Sequence, residues 1–345
     1  MRLPQAFLLV GGRNRSAESR RLAAGYSCER AFSRCYPGLV EPLLITADWG
    51  TSTLRVYLLD LAGRIVDRRA CASGIGAPSS DSDGGFARVL EREIDRWQAP
   101  QKRLPVLASG MIGSRNGWIE APYVRAPAAL ADLARALVAP AAGVWIVPGI
   151  DCKTASGYDV MRGEETQILG ALALGAPADG LYVLPGTHSK WVSVRAARVE
   201  CFTTYLTGEL FAVLKAHSIL GRLMAGSESS AAAFRRGVEA ARTTESAGAL
   251  LARLFSVRTL ALALALEGEL PSEALADYLS GLLIGCELLE GLRSDPRTPI
   301  LLGEAALVER YARALECLGH EARELPADQV VAGQLAIARA AGIVA

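Results

Sequence analysis

No CxxC pair occurs in this chain, and its seven cysteines, Cys28, Cys35, Cys71, Cys152, Cys201, Cys286 and Cys317, are odd in number and widely spaced. That argues against a disulfide framework and against a zinc site of cysteine ligands, and points to a reducing cytoplasm. Cys71 and Cys201 fall in strand-like runs and are expected to act as small apolar fillers. No apolar run approaches the roughly 20 residues of a membrane helix. The longest candidate, Thr259 to Leu266, is short and alanine-rich, which predicts a helix packed in protein. Neither sign of charge is in excess, with 37 Lys and Arg against 36 Asp and Glu, and no basic stripe suggests nucleic acid. Only three histidines are present, so His-centred catalysis has few candidates.

What is there in quantity is apolar sequence, 51% of 345 residues, enough for two full cores. The first forty residues stand apart, with seven Arg, two acids and no clean periodicity. Three readings of this leader remain open: a transit peptide, a disordered extension, or sequence upstream of the true start near Val40 or Leu43. In each of them residues 1–42 lie outside the catalytic fold. From Leu43 onward the pattern is α/β, with strand-like runs at 43–49, 54–60, 64–71, 104–109, 143–148, 181–185, 190–195, 198–204 and 299–303. Helical periodicity covers 84–98, 127–138, 162–174, 207–216, 230–242, 246–256, 271–292, 304–318 and 328–341, with a loop and N-cap expected at Pro78 to Asp81.

The most informative stretch is Asp48-Trp49-Gly50-Thr51-Ser52-Thr53-Leu54-Arg55, a strand, a tight polar turn and a second strand. Glycine and three hydroxyls in such a turn let N–H and O–H groups close around a phosphate. Asp48 would repel a bare phosphate but can hold the Mg²⁺ that accompanies a nucleotide, and Arg55 adds a cation. The plain alternative is an ordinary β-hairpin. A second hairpin repeats the pattern at Gly186-Thr187-His188-Ser189-Lys190, which offers Gly186, Thr187, Ser189 and Lys190 to phosphate. One such hairpin in each half suggests two related domains with nucleotide between them.

A phosphotransferase needs a base for the acceptor hydroxyl. Glu164 and Glu165, at the start of a helix with Ile168, Leu169 and Leu172 on its buried face, are the candidates, with Asp159 next in line. Acids at a helix start also complement its dipole. Spacing does not decide between the two glutamates. The loop after the strand at 104–109 carries Ser109, Met111, Ser114, Arg115, Asn116 and Trp118. Loops at strand C-termini bind ligands in α/β proteins. Arg115 can grip a carboxylate, Asn116 and Ser109 can bind sugar hydroxyls, and Trp118 can cover a sugar face. Near the end, Gly303 and Ala305 sit in a strand–Gly–helix junction that would let a base or ribose approach the backbone.

Taken in order, these segments resemble the 2-dehydro-3-deoxygalactonokinase family of the acetate and sugar kinase/Hsp70/actin superfamily. The carriers are Ala47–Ser52, Ala108–Ser114, Met161–Gln167, Leu184–Trp191 and Thr207–Phe211. The resemblance implies a two-domain actin-like ATPase with ribonuclease H-like domains and nucleotide in the interdomain cleft. It divides the chain into a first domain at 43–170, completed by the C-terminal helix at 328–345, and a second at 171–327. It implies ATP and Mg²⁺, a sugar acid as substrate, a cytoplasmic location, a homodimer as the candidate assembly, and no nucleic acid or membrane partner. Phosphoryl transfer to the C6 hydroxyl of 2-dehydro-3-deoxy-D-galactonate would follow, with domain closure excluding water. Two rivals stay open: another sugar or keto-deoxy-acid kinase, and a non-enzymatic nucleotide switch or sugar sensor.

Overall fold

The computed structural model describes residues 41–77, 85–98, 103–154, 157–226, 229–244, 246–262, 270–326 and 329–345. Expectations for the leader therefore lie outside the described residues, except that Pro42 already belongs to the first strand. The loop and N-cap expected at Pro78 to Asp81 also lie outside them.

The chain opens with an antiparallel meander, β1 (Pro42–Trp49), β2 (Leu54–Asp60) and β3 (Ile65–Cys71). Helix α1 (Gly85–Ile94) leads to β4 (Val106–Gly110), which pairs parallel with β1. Then come β5 (Tyr123–Arg125), α2 (Leu130–Arg135), β6 (Val138–Ala141), β7 (Val144–Ile146), β8 (Gly149–Thr154), β9 (Gly157–Met161) and α3 (Glu164–Ala173). The second half repeats the meander as β10 (Gly180–Leu184), β11 (Ser189–Arg195) and β12 (Arg198–Tyr205). Helices α4 (Thr207–His217), α5 (Ala231–Ala241), α6 (Ala247–Leu262) and α7 (Leu275–Ser294) follow. The chain ends with β13 (Pro299–Leu301), α8 (Ala305–Leu318), β14 (Arg323–Glu324) and α9 (Gln329–Ala340).

The sheet orders carry the fold. The first sheet runs β3-β2-β1-β4-β7-β6 and the second runs β12-β11-β10-β13-β14. In both, three antiparallel strands are followed by one that pairs parallel with the first and another that pairs parallel with that one. This repeated five-strand order is the ribonuclease H-like arrangement of actin-like ATPases. Strands β1 and β10 are buried along most of their length because both faces of each sheet are covered, so they read as continuous apolar runs. One core joins Leu44, Leu59 and Leu107 of the first sheet to Ile168, Val331 and Ile337 of the helices, and on to Tyr182, Val192 and Ile300 of the second sheet. A second core lies on the other face of the second sheet, where Leu181, Val183 and Leu301 meet Ile284, Val308 and Leu315.

Helices α3 and α9 cross backbone against backbone. A Cβ on Gly170 would lie 1.8 Å from the Gln329 carbonyl oxygen, and one on Gly333 would lie 1.9 Å from that of Thr166. Gln334 then donates from Nε2 to the Ala47 carbonyl at 2.8 Å and to Ser109 Oγ at 3.0 Å. The last helix thus ties α3 to the ends of β1 and β4.

Several local expectations change. The helix expected at 127–138 is confined to Leu130–Arg135, because Pro127 precedes it and the chain turns into β6 around Pro140. Strands β5, β8 and β9 form a separate three-stranded sheet with no sequence signal strong enough to single it out. Asp159 lies on β9 and not in the first turn of α3. Cys201 is exposed and Cys71 half-buried, so neither is a core filler, whereas Cys152 is buried. Helix α6 reaches Leu262, which is exposed, and the remainder of the Thr259–Leu266 run is outside the described residues.

Candidate active site

Glu164 and Glu165 open α3, directly after Gly163, whose φ of 109° suits glycine. A Cβ on Gly163 would come 3.4 Å from the Gly110 Cα, so the acids begin beside the C-terminal end of β4. The two carboxyls then part ways. Glu165 is fully buried; its Oε2 accepts from the Gly163 N–H at 2.6 Å and its Oε1 from the Thr166 hydroxyl at 3.0 Å. Burial, reinforced by the neighbouring Glu164 charge, pushes its pKa up to about 8. Glu164 is half-buried, with Oε2 accepting from the Arg162 N–H at 3.1 Å. Burial also raises its pKa, and Lys190 and His188 of the second hairpin oppose that rise. Glu164 is the less buried of the two acids, and the one on which the charges of the second hairpin act.

Asp159 is otherwise engaged. Its two oxygens accept from the Thr204 N–H at 2.7 Å and the Thr204 hydroxyl at 2.6 Å. A carboxylate held in this way braces β9 against β12 and is removed from the list of bases.

At the first hairpin, Asp48 faces Arg55 across the β1–β2 pair, with Nη1 3.0 Å from Oδ2. Burial raises the Asp48 pKa, and Arg55 pulls it back. The turn closes with Gly50 N–H donating to the Thr53 carbonyl at 2.9 Å, and Thr51 and Ser52 are exposed. A segment that sequence reasoning missed buttresses it: the N–H groups of Gly74, Ile75 and Gly76 donate to the carbonyls of Ser52, Gly50 and Thr51 at 3.0–3.3 Å. The turn's carbonyls are thereby used, and its hydroxyls and Arg55 stay on the solvent side.

The second hairpin differs from expectation in two side chains. Ser189 is fully buried and its hydroxyl meets the Tyr311 hydroxyl at 2.8 Å. Tyr311 in turn donates to Glu287 at 2.7 Å, and Trp191 Nε1 donates to the same carboxyl at 2.9 Å. Lys190 is buried with Nζ donating to the Val160 carbonyl at 3.0 Å and to Thr204 Oγ1 at 2.8 Å. As successive strand residues they point to opposite faces of the second sheet, and both are buried because both faces are covered. Gly186 and Thr187 remain at the surface of the turn, where Gly208 of α4 packs so closely that a Cβ would lie 2.4 Å from the Gly186 carbonyl oxygen. His188 pairs with Glu209.

Beside Gly186 opens a cavity of about 350 Å³, lined among others by Thr207, Gly208, Phe211, Asp277 and Arg310. Arg310 is paired with Asp277, donates to Ser280 at 3.0 Å, and lies 4.5 Å over the Phe234 ring. Gly303 stands opposite the Pro185 carbonyl, next to Gly186, whereas Ala305 is exposed at the start of α8 and Leu307 and Arg310 line the cavity instead. Arg310 and Asp277 are distant in sequence and share no motif, so nothing short of the fold pairs them.

On the loop after β4, Ser109 is fully buried beneath the surface as an acceptor for Gln334 and is not turned to a ligand. Met111 and Trp118 are half-buried, and the Trp118 N–H closes the loop on the Ile112 carbonyl at 2.9 Å. Arg115 and Asn116 are exposed at the crest. Ser114 Oγ is buried.

Two hairpins of the same design, one in each repeated sheet, with a half-buried glutamate between them and a cavity beyond, define a kinase of the actin-like ATPase fold. Residues 48–338 match the family described as DGOK, 2-keto-3-deoxy-galactonokinase. The chain belongs to that family. It is 39% identical over 300 residues to the Rhizobium meliloti (strain 1021) protein named "Probable 2-dehydro-3-deoxygalactonokinase DgoK1", covering 85% of this chain and 95% of that one. It is 35% identical over 286 residues to the 2-dehydro-3-deoxygalactonokinase of Escherichia coli (strain K12), covering 82% and 93%. A crystal structure from Sinorhizobium meliloti, of a protein described under the same kinase name, superposes with a TM-score of 0.77 at 37% identity, over 86% of this chain and 98% of that one.

Proposed function

We propose that this protein transfers the γ-phosphoryl group of ATP to the C6 hydroxyl of 2-dehydro-3-deoxy-D-galactonate, giving the 6-phosphate and ADP, in cytoplasmic galactonate catabolism. The observation that carries the reading is Glu164: a half-buried carboxylate at a helix start, beside the end of β4 and facing the second hairpin. Family membership supports the substrate.

The nucleotide reading follows from charge. Arg310, paired with Asp277, lines the cavity and offers a flat cation to a purine, so the adenosine belongs there. The phosphates then lead past Gly186 and Thr187 toward Gly50–Thr53. Asp48 fits a magnesium ion. Among the described residues no group of three or more His, Cys, Asp or Glu could hold a metal, and Mg²⁺ asks for only one or two carboxylates beside phosphate and water. When bound, the ion neutralises charge on the phosphate oxygens.

Glu164 orients the acceptor hydroxyl and takes its proton as the oxygen attacks phosphorus in line. Burial raises its pKa, which makes it a better proton acceptor than an ordinary glutamate, and the nearby Lys190 charge opposes that rise. Glu165 holds its own proton near neutrality and so cannot serve. Arg55, exposed beside Asp48 at the same hairpin, would stabilise the developing charge.

A coupled ADP-release assay with 2-dehydro-3-deoxy-D-galactonate, its C4 epimer and neutral hexoses tests the proposal. The galactonate derivative should give the highest kcat/KM, and Asp48→Asn should lower turnover at least about a hundredfold, the scale of a lost transition-state charge. A preference for a neutral sugar would overturn the substrate assignment, and near-normal kcat in the variant would overturn the role of Asp48.

A further inference from the structure

We infer that Arg162, packed beneath the loop at Gly113 and Ser114, receives the carboxylate of the acid substrate, in place of the loop-crest Arg115. This rests on the sugar-acid kinase reading above and names the group that would make the site choose an acid.

Arg162 occupies the junction of β9 and α3, two residues before Glu164. Its guanidinium is fixed on one side. Nη2 donates to the Ala121 carbonyl at 2.8 Å, and the cation lies 4.4 Å from the centre of the Tyr123 ring. The remaining donors are not matched: Nε and Nη1 are buried and have no hydrogen-bond partner among the described residues, and the same holds for Ser114 Oγ. Gly113 approaches so closely that a Cβ there would lie 2.9 Å from Nη1. Buried polar groups in native folds are almost always satisfied, and a charged one left unmatched is the most costly kind. A planar cation held over an aromatic ring, with donors to spare and an unmatched hydroxyl on the residue after Gly113, matches a carboxylate, which can take two parallel hydrogen bonds.

The position suits the acceptor and not the nucleotide. The backbone N–H of Arg162 itself holds Glu164 Oε2. In a six-carbon acid the carboxylate is at one end and the reacting hydroxyl at the other, so the anchor and the base must be distinct neighbouring groups. Arg162 and Glu164 are such a pair. Arg115 is exposed, where water screens an ion pair and leaves it weak.

The test is calorimetric binding to the full chain without nucleotide, using 2-dehydro-3-deoxy-D-galactonate and a neutral analogue with hydroxymethyl in place of the carboxylate. Arg162→Gln should weaken the acid about thirtyfold or more. It should leave the neutral analogue within about threefold, and ATP affinity unchanged. Ser114→Ala, which removes one uncharged partner, should weaken the acid by about three- to tenfold with the melting temperature held. Equal losses for acid and neutral analogue in Arg162→Gln would make the residue a strut for the loop and overturn the proposal. Wild-type acid affinity in both variants would overturn it too, as would a large loss in Arg115→Ala alone. If the unaltered protein binds the neutral analogue as well as the acid, it is the sugar-acid reading that falls.

Discussion

Two adjacent glutamates that look equivalent in sequence are given opposite chemistry by a few ångströms of surroundings. Folded, the Glu165 carboxyl keeps its proton to about pH 8; the ordinary value is 4.5. Between those values the folded state binds a proton that the unfolded chain releases, so stability should fall as pH rises through this window and level off above it. Glu165→Gln should reduce that slope, read as melting temperature from pH 5 to 9, and should retain most phosphotransfer. Glu164→Gln should lose at least about a hundredfold in kcat, the contribution typical of a positioned base, with ATP affinity kept. Full activity in Glu164→Gln, or an equal loss in both variants, would remove Glu164 from the role of base. The residues around the pair explain the division: Gly163 and Thr166 occupy both oxygens of Glu165, while Glu164 faces Lys190 and His188.

At the scale of elements, the helix that carries the proposed base is held by contacts remote from Glu164. Helices α3 and α9 touch through Gly170 and Gly333, and Gln334 extends the contact to β1 and β4. A methyl group at Gly333 meets the Thr166 carbonyl and cannot be absorbed by a side-chain rotation, because the obstacle is backbone. Gly333→Ala should therefore destabilise the protein by about 1–3 kcal/mol, the usual cost of overpacking, and lower kcat more than it raises the KM for ATP. Denaturant unfolding and steady-state kinetics together check this; unchanged stability would show that the crossing is looser than described. The buried Glu287 network plays the matching part in the second half, tying β11 to α7 and α8 beneath the phosphate turn.

For the molecule as a whole, the repeated sheet order is the governing fact. Each half ends its first hairpin at the same place in its own sheet, and we propose that both turns serve one nucleotide. We propose that the halves divide near residue 170, with α9 returning to the first. The first sheet begins at Pro42, and the two curated relatives match 300 and 286 residues of this chain. A chain beginning at Val40 should therefore match the full chain in turnover and melting temperature within error. A drop of more than a few degrees, or lost turnover, would show that the leader contributes to the catalytic unit.

The amino-acid sequence by itself determined the strands that are buried on both faces, the two polar hairpins and the acid pair at a helix start. Each is a local signal: apolar continuity, glycine with hydroxyls in a turn, and charge at an N-terminus. It also carried the family, because the motifs come in order along one chain. Only the tertiary structure decided which side chains reach a ligand. Ser109, Ser189 and Lys190 have the right chemistry in the right motifs, yet both faces of their sheets are covered, and the fit against Gln334, Tyr311 and Thr204 holds them inside. Asp159 is spent on Thr204 for the same reason. Conversely, the pairing of Arg310 with Asp277 and the placing of Arg162 beneath the loop at Gly113 join residues remote in sequence, and no local pattern encodes such a contact. Burial sets both the reach and the protonation of these groups, and burial is a property of the packed whole.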